Sequence, residues 1–138
     1  MVFMAKQILV VEDDLDIGRL LEMHLTDTAY AVEIAKTGED GLQCVLSKRY
    51  DLIILDVMLP GIDGIEVLKR IKEDVRLKKI PVIMLTTSLR EEDIAASYSH
   101  YANSYLTKPV GFKEFEDKVM QIDYYWMNLN EPPKTTDR

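Results

Sequence analysis

The sequence predicts an α/β fold built on a doubly wound parallel sheet. Five short apolar runs rich in Val, Ile and Leu alternate with segments whose apolar residues recur at helical spacing. The central run, residues 52–55, is apolar at every position, as is typical of a strand buried on both faces. No repeat, linker or low-complexity stretch interrupts the alternation. We therefore expect one domain of five strands and five helices, with helices on both faces because parallel crossovers are right-handed.

Strand and helix alternate in a regular order along the first half of the chain. Asp14 suits the N-cap of the first helix, because its side-chain oxygen can accept from the free N–H groups of a first turn. Pro60, Gly61 and Gly64 form a turn-forming cluster that ends the third strand. The predicted strands are residues 7–11, 31–35, 52–56, 80–85 and 104–107, and the predicted helices begin near Asp14, Thr37, Ile65, Arg90 and Gly111.

The strands and helices of the second half of the chain are predicted from weaker signals. Pro81 stands at the start of the fourth strand, where a missing backbone N–H is tolerated. The acids at 91–93 suit the first turn of a helix, because the helix dipole favours negative charge there. The last helix repeats apolar residues on one face. We expect the domain to span residues 5–129, followed by a polar tail at residues 130–138.

Composition and charge exclude several classes of function. The 138 residues are 47% hydrophobic and 30% charged, which is ordinary for a soluble globular domain. The single cysteine, Cys44, excludes an intramolecular disulfide framework, and no apolar run reaches the roughly 18 residues of a membrane span. We expect a cytoplasmic protein that does not bind membranes. The net charge of -7 argues against a nucleic-acid surface, which needs clustered cations.

One stretch departs from this acidic balance. Six basic residues fall within positions 69–79: Lys69, Arg70, Lys72, Arg76, Lys78 and Lys79. Such a run is either the solvated face of a helix and its exit or a binding patch. The sequence leaves both interpretations open.

The carboxyl ends of the predicted strands bring polar side chains to one edge of the sheet, where open α/β sheets bind their ligands. These residues are Glu12, Asp13, Asp56, Thr86 and Lys108. Three converging carboxylates repel one another, so either one is protonated or a cation joins them. Oxygen donors with no His or Cys nearby suit a hard cation such as Mg²⁺, which pairs naturally with phosphoryl groups.

The residue types at this edge suit phosphoryl transfer. Asp56, at the end of the central strand, is the carboxylate best placed as a nucleophile, and Asp side chains do form aspartyl phosphates. The Lys108 ammonium could neutralise one phosphoryl oxygen, and the Thr86 hydroxyl could donate to another. Asp14 follows Glu12 and Asp13 directly, and it is either only a helix cap or the third member of the acidic trio at residues 12–14.

Four motifs occur in a fixed order along the chain: residues 10–14 (VVEDD), 55–64 (LDVMLPGIDG), 84–88 (MLTTS) and 105–109 (YLTKP). Together they resemble the receiver domain of two-component response regulators, across residues 5 to about 126. Four matches with the family's spacing are a specific signal. The resemblance implies a flavodoxin-like sheet with the strand order 2-1-3-4-5.

The resemblance implies roles for the acidic residues. Asp56 matches the phosphoacceptor, which takes a phosphoryl group from the phosphohistidine of a sensor histidine kinase. Asp13 matches the direct ligand of Mg²⁺, and Glu12 matches the acid that binds the ion through water. Asp56 also belongs to the implied metal site. The backbone carbonyl of Met58 matches a further ligand.

The resemblance also implies a switch. Thr86 matches the hydroxyl that moves toward the phosphoryl group, and Tyr105 matches the aromatic side chain that swings inward with it. Lys108 matches the lysine that pairs with the phosphate. A cis peptide between Lys108 and Pro109 would aim that lysine into the crevice.

The function implied is a phosphorylation-dependent signalling switch that acts through an unknown downstream protein. Residues 86–88, 97–109 and 125–126, with Pro132 and Pro133, resemble the single-domain regulators that serve phytochrome-type kinases. We expect no output domain after residue 138. A homodimer through the fourth helix, fifth strand and last helix is a further expectation, because many receivers pair through this face.

Two rival classes of function are weighed against the switch. A Mg²⁺-dependent phosphatase would want a second acid two residues after the nucleophile, where this chain has Met58. An unphosphorylated receiver-like adaptor would be expected to lose Asp56, Thr86 or Lys108, and all three are present. We therefore expect no enzyme, only slow Mg²⁺-dependent self-phosphorylation and self-dephosphorylation.

Overall fold

The computed structural model describes residues 6–27, 30–86, 102, 104–107, 111, 113, 114, 117 and 120. The strands in this part of the chain are β1 (Gln7–Val11), β2 (Ala31–Ala35), β3 (Leu52–Asp56), β4 (Val82–Thr86) and β5 (Ser104–Thr107). The helices α1 (Leu15–Asp27), α2 (Gly38–Ser47) and α3 (Gly64–Glu73) connect the first four strands in turn.

All five strands pair in parallel, in the order β2-β1-β3-β4-β5. This confirms the predicted fold class and strand order. The register places Val11, Leu55, Met84 and Tyr105 in one row across the sheet. The chain leaves β1 toward β2 on one side and leaves β3 toward β4 on the other. A crevice therefore opens between the carboxyl ends of β1 and β3, where such sheets bind their ligands.

An apolar layer covers each face of the sheet, and β3 is buried at every position between them. The α1 face holds Ile8, Val10, Leu21, Leu25, Ile54 and Leu85, and the opposite face packs Leu9, Val45, Leu55, Val67, Leu68 and Met84 with residues of α2 and α3. Burying apolar surface on both faces is why the run at residues 52–55 shows no polar alternation.

The structure corrects the predicted start of the fourth strand. β4 begins at Val82 and not at Ile80. The Ile80 N–H donates to the Leu77 carbonyl at 3.0 Å, which closes a turn instead of joining the sheet. Pro81 has no N–H to donate, but its carbonyl accepts from Ile53 N–H at 3.0 Å. The polar residue Thr86 ends the strand.

Two predicted features lie outside the described residues: the fourth helix, near residues 90–97, and the tail at 130–138. Of the last helix, Lys113, Glu114, Asp117 and Met120 are helical and exposed. Their spacing places them together on a solvent-facing side. Among the described residues, no helix has the length and hydrophobicity needed to span a membrane.

Candidate functional site

The Asp56 side chain is held at the carboxyl edge of the central strand. The residue is 2% exposed, and its Oδ1 accepts a hydrogen bond from the Met58 N–H at 3.2 Å. The chain then turns back tightly, with the Gly64 N–H donating to the Val57 carbonyl at 2.9 Å. A Cβ atom at Gly64 would collide with the Asp56 carbonyl oxygen. The turn therefore needs glycine at this position, and it fixes where the carboxylate lies.

Glu12 and Asp13 follow the neighbouring strand β1. Glu12 is fully buried and Asp13 is exposed. The Glu12 backbone N–H donates to the Ala35 carbonyl at 2.9 Å, and its side-chain Oε2 accepts from the Asp14 N–H at 3.1 Å. Glu12 Oε1 is buried, and none of the residues that the structure describes donates a hydrogen bond to it. These contacts hold the buried Glu12 carboxylate at the crevice, next to the exposed Asp13.

The three predicted acids meet in space. Glu12, Asp13 and Asp56 each offer a carboxylate oxygen, and these oxygens lie within 4.8 Å of one another. Like charges at this separation repel, and a bound cation would offset the repulsion. An all-oxygen set of carboxylates is the donor chemistry that Mg²⁺ prefers. The residues at the crevice therefore fit a divalent hard cation.

Asp14 is the N-cap of α1. Its Oδ1 accepts from the N–H groups of Asp16 at 2.9 Å and Ile17 at 3.3 Å, and its carbonyl accepts from Gly18 N–H at 3.0 Å. The Asp16 and Ile17 N–H groups are free donors of the first helical turn, and the Gly18 bond is the first within the helix backbone. Of the two roles left open for this acid, the structure supports the helix cap.

Thr86 and Tyr105 lie on the same face of the sheet. Thr86 ends β4 and is 3% exposed. Tyr105 is the register partner of Met84, and residues two apart on a strand share a face. Tyr105 is partly buried and packs against the core beneath α2 and α3. The predicted site residues Lys108 and Pro109, with their cis peptide, lie outside the described residues.

Sequence reasoning missed a contact between α2 and the loop after Asp56. Glu39 Oε2 accepts from the Ile62 N–H at 3.4 Å, and its carboxylate lies against Gly61, which has a φ of 73°. A Cβ atom at Gly38 would collide with the Ile62 carbonyl oxygen. Glycine is unfavourable in the first turn of a helix. Gly38 was therefore the signal in the sequence that another part of the chain approaches the helix closely.

A family model confirms that the sequence motifs are those of a receiver domain. The model of the response regulator receiver domain matches residues 8–120. Among curated proteins, the chain is 38% identical over 116 residues to the response regulator ArlR of Staphylococcus aureus. That alignment covers 84% of this chain and 52% of ArlR. The chain thus spans about half the length of the curated relatives it matches.

Solved structures share the fold over nearly their whole length. A putative response regulator from Chloroflexus aurantiacus J-10-fl has a TM-score of 0.82 at 34% identity, covering 86% of this chain and 98% of that one. The phosphorylated cyanobacterial phytochrome response regulator RcpA gives 0.78 at 34% identity, covering 95% and 100%. The Mn²⁺-bound form of response regulator Rcp1 gives 0.76 at 36% identity, covering 93% and 99%.

Proposed function

The chain belongs to the response regulator receiver domain family, and from this membership we propose that it is a phosphorylation-dependent switch whose phosphoacceptor is Asp56. Receiver domains act in two-component signalling and interact with sensor histidine kinases. One observation carries the assignment to Asp56. Its carboxylate ends the central strand, inside a cluster with Glu12 and Asp13.

The proposed chemistry is a transfer of one phosphoryl group. A carboxylate oxygen of Asp56 attacks phosphorus, and the phosphorus–nitrogen bond of the donor phosphohistidine breaks. The electron pair of that bond returns to the imidazole ring. The product is an aspartyl phosphate, which later attack by water returns to the carboxylate.

Receiver domains bind Mg²⁺ at an acidic pocket, and the acidic cluster of this chain matches that pocket. Glu12, Asp13 and Asp56 would hold the ion, with the Met58 carbonyl as a further ligand. When bound, the ion would neutralise charge that develops on the phosphoryl oxygens. The Mn²⁺-bound form of Rcp1 supports a divalent cation in a related protein.

Phosphorylation is proposed to act on β4 and β5, the strands that carry Thr86 and Tyr105. The Thr86 hydroxyl donates to a phosphoryl oxygen, and Lys108 pairs with another. Tyr105 then turns inward on the face that it shares with Thr86. Driving such a switch from mostly off to mostly on takes about 5.5 kcal/mol of differential stabilisation.

The proposed output is a protein contact, not a metabolic reaction. The surface of the fourth helix, β5 and the last helix would change shape and bind a downstream protein or a second copy of the chain. Similarity to the phytochrome response regulator RcpA supports a phytochrome-type kinase as the donor. Met58 occupies the position where a phosphatase of this chemistry would carry its second acid, which supports a switch over an enzyme.

The experiment that tests this proposal is intact-mass spectrometry after incubation with acetyl phosphate and Mg²⁺. We expect one added phosphoryl group on the wild type and none on Asp56→Asn. Asp63→Asn is the matched control. Asp63 follows the same strand and caps α3 by accepting from the Glu66 N–H at 2.9 Å, and Asn caps a helix equally well.

Labelling of Asp63→Asn should equal that of the wild type, and chelation of Mg²⁺ should abolish both. An adduct that persists in Asp56→Asn would assign the phosphoryl group to another residue. No adduct on the wild type under any condition would overturn the switch and favour the unphosphorylated adaptor.

A further inference from the structure

The end of α3 and the turn after it form the most basic part of the chain. Residues 69–79 hold six basic and two acidic residues, a formal charge of +4 within a chain of -7. This turn precedes β4 and therefore lies at the amino edge of the sheet. Asp56 and Thr86 end their strands at the opposite edge. The basic stretch is thus separate from the phosphoacceptor.

The turn is held in one conformation by contacts of its own. Lys72 Nζ donates to the Lys78 carbonyl at 3.0 Å and to the Ile80 carbonyl at 2.7 Å. Asp74 Oδ1 accepts from the Arg76 N–H at 2.7 Å. The Leu77 side chain is buried and anchors the turn to the core. Because the backbone of the turn is already held in this way, binding a partner does not require it to be ordered first.

Three of the six cations already have partners. Arg70 pairs with Glu66 at 3.0 Å, Arg76 pairs with Asp74 at 3.6 Å, and Lys72 donates to the two carbonyls.

The other three cations differ. Lys69, Lys78 and Lys79 are exposed, and no acid within the described part of the chain pairs with them. Val75 projects from the same turn with 76% of its surface exposed. The basic stretch thus presents an exposed apolar side chain and three exposed lysines that no described acid pairs with.

We propose that Lys69, Val75, Lys78 and Lys79, here called the basic platform, dock an acidic protein segment that places an apolar side chain against Val75. Charge complementarity selects this partner. Outside residues 69–79 the chain has a formal charge of -11. An acidic segment is therefore repelled by the rest of the surface and attracted to the basic platform.

Nucleic acid fits the platform less well than an acidic protein segment. Glu73 and Asp74 lie within the same stretch, and a phosphate backbone needs more clustered cations than three unpaired lysines. The exposed Val75 side chain also has no partner on a phosphate backbone. The other interpretation of this stretch, a solvated helix face, does not account for a fixed turn that displays Val75.

The test uses a fluorescein-labelled synthetic peptide of Asp and Glu residues around a central Leu, measured by fluorescence anisotropy at low salt. Lys78→Glu/Lys79→Glu should weaken binding about tenfold or more, and added salt should weaken it further. The control is Arg19→Glu/Lys36→Glu, which makes the same change in net charge at two exposed residues away from the platform. We expect this control to bind within about twofold of the wild type.

Val75→Ser separates docking from simple charge attraction, because it leaves the charge unchanged. This substitution should weaken peptide binding several-fold. Circular dichroism should show that all variants are folded. Equal losses in the two charge-reversal variants would overturn the proposal. So would tighter binding of a single-stranded DNA probe than of the peptide, no effect of Val75→Ser, or no peptide binding at all. None of these outcomes depends on phosphorylation of Asp56.

Discussion

At the scale of single residues, Gly64 shows how a missing side chain positions a functional group. Its Cα lies against the Asp56 carbonyl, so that the loop can turn back directly after the strand. Gly64→Ala forces backbone atoms apart, and we expect it to lower the free energy of unfolding by about 1–3 kcal/mol. Phosphorylation by acetyl phosphate should also slow, because the Asp56 carboxylate moves.

Gly111→Ala is the control for this substitution. Gly111 is exposed, and a Cβ atom there would have nothing within 4 Å. Urea unfolding should therefore show no loss of stability in this variant. If Gly64→Ala proves as stable as Gly111→Ala, the close approach to Asp56 does not constrain the loop.

Lys72 makes stability depend on pH. Burial lowers its pKa from 10.5 to about 8 in the folded protein. Between these values the unfolded chain holds the proton more strongly than the folded chain does, so the Lys72 contribution to stability rises with pH. Below pH 8 both states are protonated, and the cost of burying the charge is fully present.

The pH effect can be measured by urea unfolding of the wild type and Lys72→Met. As pH rises from about 8 toward 10.5, the free energy of unfolding of the wild type should increase relative to that of the variant. Burial and the hydrogen bond to Glu33 raise the pKa of Tyr50, but this group is common to both proteins. Parallel pH profiles would show that the Lys72 ammonium is not destabilised by burial.

At the scale of elements, Glu33 joins the edge strand β2 to the chain between α2 and β3. Its Oε1 accepts from Lys48 Nζ and from the Tyr50 hydroxyl, both at 2.8 Å. These two donors hold the pKa of Glu33 below its ordinary value. Tyr50 is 1% exposed, whereas the Lys48 side chain is 55% exposed. The buried hydroxyl should therefore matter more than the exposed ion pair.

Tyr50→Phe removes the buried hydrogen bond and keeps the ring, so we expect it to cost about 1 kcal/mol of stability. Lys48→Met should change stability very little, because an exposed ion pair is screened by water and salt. Chemical denaturation of the two variants side by side measures the difference. A larger loss in Lys48→Met than in Tyr50→Phe would reverse this ranking of the two contacts.

Elements were predictable where local pattern decides them, and less so where distant contacts decide them. β1 and β2 have the predicted bounds, and α2 begins directly after Thr37, close to its predicted start, because runs of apolar residues and a capping oxygen act locally. The predicted start of β4 was wrong because the Ile80 N–H donates to the Leu77 carbonyl within a turn. The two carbonyls that Lys72 binds lie six and eight residues away, and no periodicity reports such a contact.

The same distinction holds for the candidate site. The meeting of Glu12, Asp13 and Asp56 was predictable, since parallel strands end at one edge of a sheet. The cap at Asp63 and the contact of Glu39 with Ile62 were not predicted. Both depend on how the loop folds back after Asp56, and several turns are compatible with its Pro and Gly residues.

At the scale of the whole molecule, Thr86 is expected to separate phosphorylation from its consequences. Thr86→Ala removes the hydroxyl but leaves Asp56 and the acidic cluster in place. Acetyl phosphate should label this variant as fully as the wild type, while the phosphorylation-dependent change in hydrogen exchange across β4 and β5 should be lost. Thr26→Ala, at an exposed threonine of α1, is the control and should respond like the wild type. Loss of labelling in Thr86→Ala would count against a role confined to the switch.

Helix α3 spans the distance between the two edges of the sheet. It begins at Gly64, against the Asp56 carbonyl, and its ten residues extend about 15 Å to the turn that holds Val75, Lys78 and Lys79 of the basic platform. Its two ends are therefore parts of one rigid body. By thermodynamic reciprocity, if phosphorylation changes the affinity at the far end by some factor, a partner bound there changes the equilibrium of phosphorylation by the same factor. A protein docked at the basic platform would then both respond to phosphorylation of Asp56 and change its equilibrium.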